Sequence, residues 1–127
     1  MYKYSAKSLA KLKGLHPDLI RVMHRAIELT EVDFVILEGL RTKDRETKLV
    51  KEGVSTTVHS RHLTGHAVDV AAWVANNVNW DAKYYHTIAI AVKKAAIEVA
   101  IPIEWGGDWR TFKDYGHFQL PWTTYPA

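Results

Sequence analysis

Residues 60 to 69, SRHLTGHAVD, place two histidines and an aspartate in ten positions around a glycine, just ahead of a short apolar run. Imidazole and carboxylate are the groups left to hold a divalent metal when no thiolate is available, and the chain contains no Cys. Gly65 permits a sharp reversal, so a turn through Thr64 and Gly65 followed by a strand would bring His62 and Asp69 together. A catalytic zinc takes three protein ligands and keeps a fourth position for water, so one more is needed. His117, in DYGHFQL near Asp114, is the best-placed remaining histidine. The competing reading makes each histidine an ordinary surface or hydrogen-bonding residue, and spacing alone leaves both open. His62 and His66 also form HxxxH, which presents two ligands on one face of a helix, but Thr64 and Gly65 argue against a helix there. His66 is therefore read as a strand residue beside the site. His16 reads as a helix-start residue, and His24, His59 and His86 carry no pattern beyond solvated or capping roles.

The elements that must position these residues alternate between helix and strand. Ser5 is suited to cap a first helix through Leu12, closed by Gly14, and HPDLIRVMHRAIELT puts Leu19, Val22, Met23, Ala26 and Ile27 on one helical face. Asp33 to Leu37 (DFVIL) reads as a buried strand. Thr42 then caps a charged helix ending at Gly53, which puts Arg41 at a strand-to-helix junction. HAVDVAAWV is strand-like, and DAKYYHTIAIAVKKAAIEVA carries Tyr84, Tyr85, Ile88, Val92, Ala95 and Val99 at helical spacing before Pro102. IEWGGDW and DYGHFQL, each short, aromatic and bounded by glycine, have the look of a closing hairpin or pair of strands. The pattern is that of a mixed α+β fold.

Composition excludes several classes. At 127 residues the chain has the length of about one domain, and no repeat, low-complexity tract or linker marks a second. A balance of 17 Lys and Arg against 14 Asp and Glu gives +3, which suits an anionic polymer such as nucleic acid or bacterial wall without choosing between them. The opening MYKYSAKSLAKLKG is basic but has no apolar stretch of signal-peptide length, and nowhere do ~18 uninterrupted apolar residues occur. The expectation is cytoplasmic synthesis without a signal peptide and without membrane insertion.

SRHLTGHAVD also fits S-x-H-x-x-G-x-A-x-D, with Ser60, His62, Gly65, Ala67 and Asp69 in register; EGLRT lies upstream, and WGGDW is followed by D-x-x-H-F. On these residues the chain resembles the LAS zinc peptidases, the family of D-alanyl-D-alanine carboxypeptidases, D-Ala-D-Ala dipeptidases and L-alanyl-D-glutamate endopeptidases. From HPDL at 16 to HFQL at 120 it looks like the small endolysins of bacteriophages and prophages. The resemblance implies a small, mostly antiparallel sheet with flanking helices, the hedgehog/DD-peptidase-like zinc peptidase fold. It implies Zn2+ held by His62, Asp69 and His117, Asp114 as general base, and Arg41 as the cation that steadies the developing oxyanion. A salt bridge to Glu38 or Asp44 is the alternative for Arg41. Two departures are small: Gly116 stands where many relatives have Pro, and Glu46 where relatives often have Gln.

Ser60 is read either as a hydrogen bond to ligand or substrate or as a local cap. Trp105 and Trp109 flank GGD, where an indole could wall a substrate groove; Trp105 is assigned that role, core packing is an equal reading for Trp109, and Trp73, Trp80 and Trp122 stay unassigned. The compact layout is similar to endopeptidases that cut between L-Ala and D-Glu in the peptidoglycan stem. The alternatives are a D-Ala-D-Ala carboxypeptidase or dipeptidase of the same family, and a non-catalytic wall-binding or metal-storing module. The resemblance further implies peptidoglycan and not nucleic acid as partner, release to the wall by a holin, a monomer, and one catalytic domain over residues 1–127 with no separate wall-binding module.

Overall fold

Ser5 closes the amino end of α1 (Ala6–Leu12), its side chain accepting from the Ser8 amide. His16 does the same for α2 (Pro17–Leu29): its Nδ1 accepts from the Asp18 amide at 3.1 Å, and Pro17 opens the first turn. The buried stripe of α2 is Leu19, Val22, Met23, Ala26 and Ile27, as the spacing requires. The long helix α3 (Ala82–Val99) starts at an Asp81 cap and buries Tyr85, Ile88, Ala89, Ala91, Val92, Ala95 and Ala96. Tyr84 and Val99, expected on that face, lie at its partly buried edge. This computed structural model describes residues 1–40 and 61–126; Arg41, Ser60 and the helix expected between Thr42 and Gly53 lie outside the described residues.

Among the described residues five strands form one sheet: β1 (Phe34–Glu38), β2 (Ala67–Val74), β3 (Asn77–Asn79), β4 (Glu104–Trp105) and β5 (His117–Gln119). The order is β1-β2-β5-β4, with β3 pairing the far end of β2, and every pairing is antiparallel. Strand β3 is an element the residue pattern did not announce, because NVN is too short and too polar to read as one. The closing pair is present, joined through a long connection that includes a 3-10 turn at Gly106–Asp108.

Side chains alternate across a strand, so β2 has two characters. Val68, Val70 and Ala72 enter the core with Phe34, Ile36 and Phe118 and meet the apolar faces of α2 and α3. Burying the valine, isoleucine and phenylalanine side chains among them stabilises the fold by ~1.5–3 kcal/mol each. The alternate residues of β2 include Asp69, which is therefore turned away from that core and toward the other face of the sheet. The register aligns Asp69 with His117 and Ala67 with Gln119, so these residues share a face. Among the described residues no helix is long and apolar enough to cross a membrane.

The turn that feeds β2 is a 3-10 segment, Arg61–Thr64, ended by Gly65 at φ 75. A Cβ on Gly65 would also fall 2.8 Å from the Gly14 carbonyl oxygen, so conformation and space both call for glycine. Its carbonyl accepts from the His16 amide at 2.8 Å, which ties the turn to the start of α2. Arg61 is buried, and Nη2 donates to the carbonyls of Leu120 at 2.8 Å and Tyr125 at 2.7 Å. The guanidinium lies 4.0 Å from the Trp122 ring centre. The residue beside His62 thus anchors the segment that follows β5.

Candidate active site

Three side chains converge on the sheet face away from the core: His62 from the 3-10 turn, Asp69 from the middle of β2 and His117 from the start of β5. One ligand atom from each lies within 4.8 Å of the others. His62 Nε2 is 3.2 Å from Asp69 Oδ2, and His117 Nδ1 is 2.9 Å from Asp69 Oδ1. Both histidines are buried, at 2% and 8% exposure. The two imidazoles stand edge to face, ring centres 5.3 Å apart.

The second nitrogen of each ring is committed elsewhere, and that decides what the first can do. His62 Nδ1 lies 2.9 Å from the Gly39 carbonyl oxygen, which can only accept, so Nδ1 carries hydrogen and Nε2 is the nitrogen turned to Asp69. His117 Nε2 lies 2.7 Å from Gln119 Oε1, and Gln119 Nε2 donates to Glu104 Oε2 at 3.1 Å. The Glu104 carboxylate fixes which way the Gln119 amide points; the amide oxygen in turn fixes hydrogen on His117 Nε2. His117 Nδ1 is left to face Asp69. Between each of these nitrogens and the carboxylate a proton or a metal cation is required, and two nitrogens plus one carboxylate oxygen form a donor set that zinc accepts. The residues therefore fit a metal.

The electrostatics agree. Burial pushes the Asp69 carboxyl up, but hydrogen bonds from His117 and His62, together with their charges, outweigh it and hold the group well below the usual carboxylate range. Burial lowers His117, yet the Asp69 hydrogen bond and charge, then Gln119 and Asp114, raise it overall. Asp69 stays ionised, the state a ligand needs.

Asp114 precedes His117 by three residues, on the connection between β4 and β5. Its amide donates to the Gly106 carbonyl at 3.1 Å, and its carbonyl accepts from the His117 amide at 3.2 Å. The backbone bonds that hold the loop thus also hold the start of β5. Gly116, between them, approaches β2 so closely that a Cβ would fall 2.6 Å from the Val70 carbonyl oxygen, while its own carbonyl accepts from Val70 N at 2.8 Å. Burial and then the Asp69 charge raise the Asp114 pKa, which leaves it the more basic of the two carboxylates. It stands outside the three-residue ligand group.

Two expectations need correction. Trp105, expected to wall a substrate groove, is 4% exposed and belongs to the core cluster, because its register partner Phe118 points to the core face. Its Nε1 donates to the Tyr115 carbonyl at 2.7 Å. A tryptophan that does lie against the ligand group is Trp109, whose ring centre is 5.2 Å from that of His117. His66 sits just before β2 instead of within it, and its ring packs 5.4 Å from His16 with Nδ1 2.6 Å from Thr64 Oγ1, apart from the ligand group. Glu104, Gln119 and the Gly39 carbonyl were missed. Gln119 had a signal, since two residues after His117 on a strand is the same face. Glu104 and Gly39 had none, because only strand pairing and the folded turn bring them in.

The Glu104–Gln119 pair yields a prediction. Gln119→Leu removes the acceptor that fixes the His117 tautomer; if the three residues hold zinc, the affinity for added zinc is expected to fall ~10- to 100-fold with the fold retained. Competition against a chelating dye measures it; unchanged affinity would remove the pair from the metal's support.

A sequence profile described as phage L-alanyl-D-glutamate peptidase matches residues 1–119. The chain is 30% identical to the L-alanyl-D-glutamate peptidase of Escherichia phage T5, across 98% of this chain and 93% of that protein. Among solved structures, the Serratia marcescens L-Ala D-Glu endopeptidase ChiX superposes with a TM-score of 0.92 at 49% identity, covering 98% of this chain and 95% of that one. The vancomycin resistance D,D-dipeptidase VanXYg superposes with a TM-score of 0.55 at 17% identity over 84% of this chain and 50% of that one, a likeness of fold alone. The small antiparallel sheet with flanking helices is thus the DD-peptidase-like fold that the family resemblance implied, and it agrees with the mixed α+β pattern of the residues.

Proposed function

The chain belongs to the phage L-alanyl-D-glutamate peptidase family, and we propose that it is a zinc-dependent peptidoglycan hydrolase, an endolysin that cleaves the bond between L-alanine and D-glutamate in the stem peptide. The observation that carries this reading is the convergence of His62, Asp69 and His117 with Asp114 poised on the loop that leads into His117. When bound, zinc supplies Lewis acidity toward the scissile carbonyl and a water acidified toward neutral pH. His62 and His117 would hold it with the nitrogens turned to Asp69, and Asp69 would add a carboxylate oxygen. Asp114 accepts the proton of the attacking water and returns it to the leaving amine; the raised proton affinity of its carboxyl suits both halves of that exchange. Arg41, outside the described residues, neutralises charge that develops on the carbonyl oxygen, and Ser60, also outside them, hydrogen-bonds substrate. In this reading residues 1–127 supply a catalytic domain that reaches the wall from the host cytoplasm through a holin and acts there as a monomer.

Mass spectrometry of purified peptidoglycan digested by the protein tests the reading. The expected products carry new N-terminal D-Glu, leave L-Ala on the glycan, and include no free D-Ala. Release of D-Ala or of the D-Ala-D-Ala dipeptide would move the protein to the carboxypeptidase or dipeptidase branch. Unaltered peptidoglycan with zinc bound would leave a wall-binding module.

A further inference from the structure

Beside the ligand group lies a cleft of about 230 Å³, bordered by Asp69, Asp114, Lys113, Tyr115, Leu37 and Trp80. The mechanism above gives this cleft a direction. The carboxylate that returns a proton to the leaving amine must lie within hydrogen-bond reach of that nitrogen, so the leaving residue occupies the space next to Asp114. In an L-alanyl-D-glutamyl bond the leaving residue is glutamate, acylated at its amine and carrying two carboxyl groups. At most one of these can continue the peptide, so unless it is amidated the other presents a negative charge close to the scissile nitrogen.

The cleft has the matching groups. Among its described lining residues the positive charge belongs to Lys113, next in sequence to Asp114, whose ammonium spends one of three donors on the Gly107 carbonyl at 3.2 Å. Trp80, with its ring stacked 6.0 Å from that of Tyr85, and Leu37 give apolar surface for the methylene groups of a glutamyl side chain. Asp114, outside the ligand group, repels an anion placed beside it, so an acidic leaving residue gains from a cation on this side of the site.

We infer that this cleft is the subsite for the leaving D-glutamyl residue and that Lys113 pairs with its free carboxylate. The inference rests on the peptidase reading and assigns a residue that sets specificity within it. Two soluble stem peptides test it, one with D-glutamate and one with the same carboxyl converted to carboxamide. The wild type is expected to favour the carboxylate peptide in kcat/KM by about tenfold, the low end for a hydrogen bond to a charged group because Lys113 is exposed. In Lys113→Met that ratio is expected to fall toward unity, chiefly through KM on the carboxylate peptide, and in Lys113→Arg to be largely restored. Zinc content and circular dichroism of each variant confirm that the site and fold are intact. A folded, zinc-loaded Lys113→Met that keeps the full ratio, or a wild type with no preference, would overturn the subsite and leave the peptidase standing. A wild type that cleaves neither peptide nor peptidoglycan would remove the peptidase reading and the subsite with it.

Discussion

Asp114→Asn is expected to hydrolyse wall peptide ~10² to 10⁴ times more slowly than the wild type while retaining its zinc. The substitution preserves shape and the backbone bonds to Gly106 and His117, which do not involve the side chain, so the β4–β5 connection keeps its path. What it removes is proton affinity: a carboxamide oxygen accepts a hydrogen bond but cannot take up and return a proton at neutral pH. Asp114→Glu is expected to recover part of the rate, limited by the extra methylene, since misplacing a catalytic group by about 1 Å can cost ~10²-fold. Zinc content and lysis rate measured side by side decide the matter. Full zinc with near wild-type lysis would remove Asp114 as the base, and lost zinc would make it a ligand.

Loss of the metal is expected to have an effect of the same order or larger, and Asp69→Ala is the sharpest way to produce it by mutation. Asp69 lies between the two histidines, 3.2 Å from one and 2.9 Å from the other, so its removal takes away one ligand and the charge that keeps both rings turned inward. Supporting residues around metals are commonly worth ~10- to 100-fold in affinity, and a direct ligand is expected to exceed that, with hydrolysis falling to background. His62→Ala and His117→Ala are expected to behave alike. His66→Ala is the control: with its ring packed on His16 and bonded to Thr64, it is expected to keep most of the zinc. Zinc lost from His66→Ala but kept by His62→Ala would mean that the turn through Gly65 is wrongly placed.

Much of this was legible because the relevant signals are local. The apolar spacing of α2 and α3, the caps at Ser5 and His16, and the strand around Asp69 each depend on a few neighbouring residues, and the structure places them within a residue or two of expectation. The convergence of His62, Asp69 and His117 was legible for a different reason: a cysteine-free chain leaves histidine and carboxylate as candidate ligands, and Gly65 marks where the chain can turn back. Trp105 was misplaced because flanking glycines look the same beside a groove or beneath a sheet. Only pairing with Phe118 sets which face it takes. The Glu104–Gln119–His117 chain was invisible for the same reason, since it joins residues across β4 and β5.

The most direct measurement is reconstitution of the chelated wild type with zinc, read as stem-peptide cleavage. Cleavage is expected to be at background in the metal-free chain and to rise linearly with added zinc until about one equivalent per chain is bound, because the donor set of His62, Asp69 and His117 has room for one ion. Undiminished cleavage by a chain shown by elemental analysis to hold no divalent metal would contradict it.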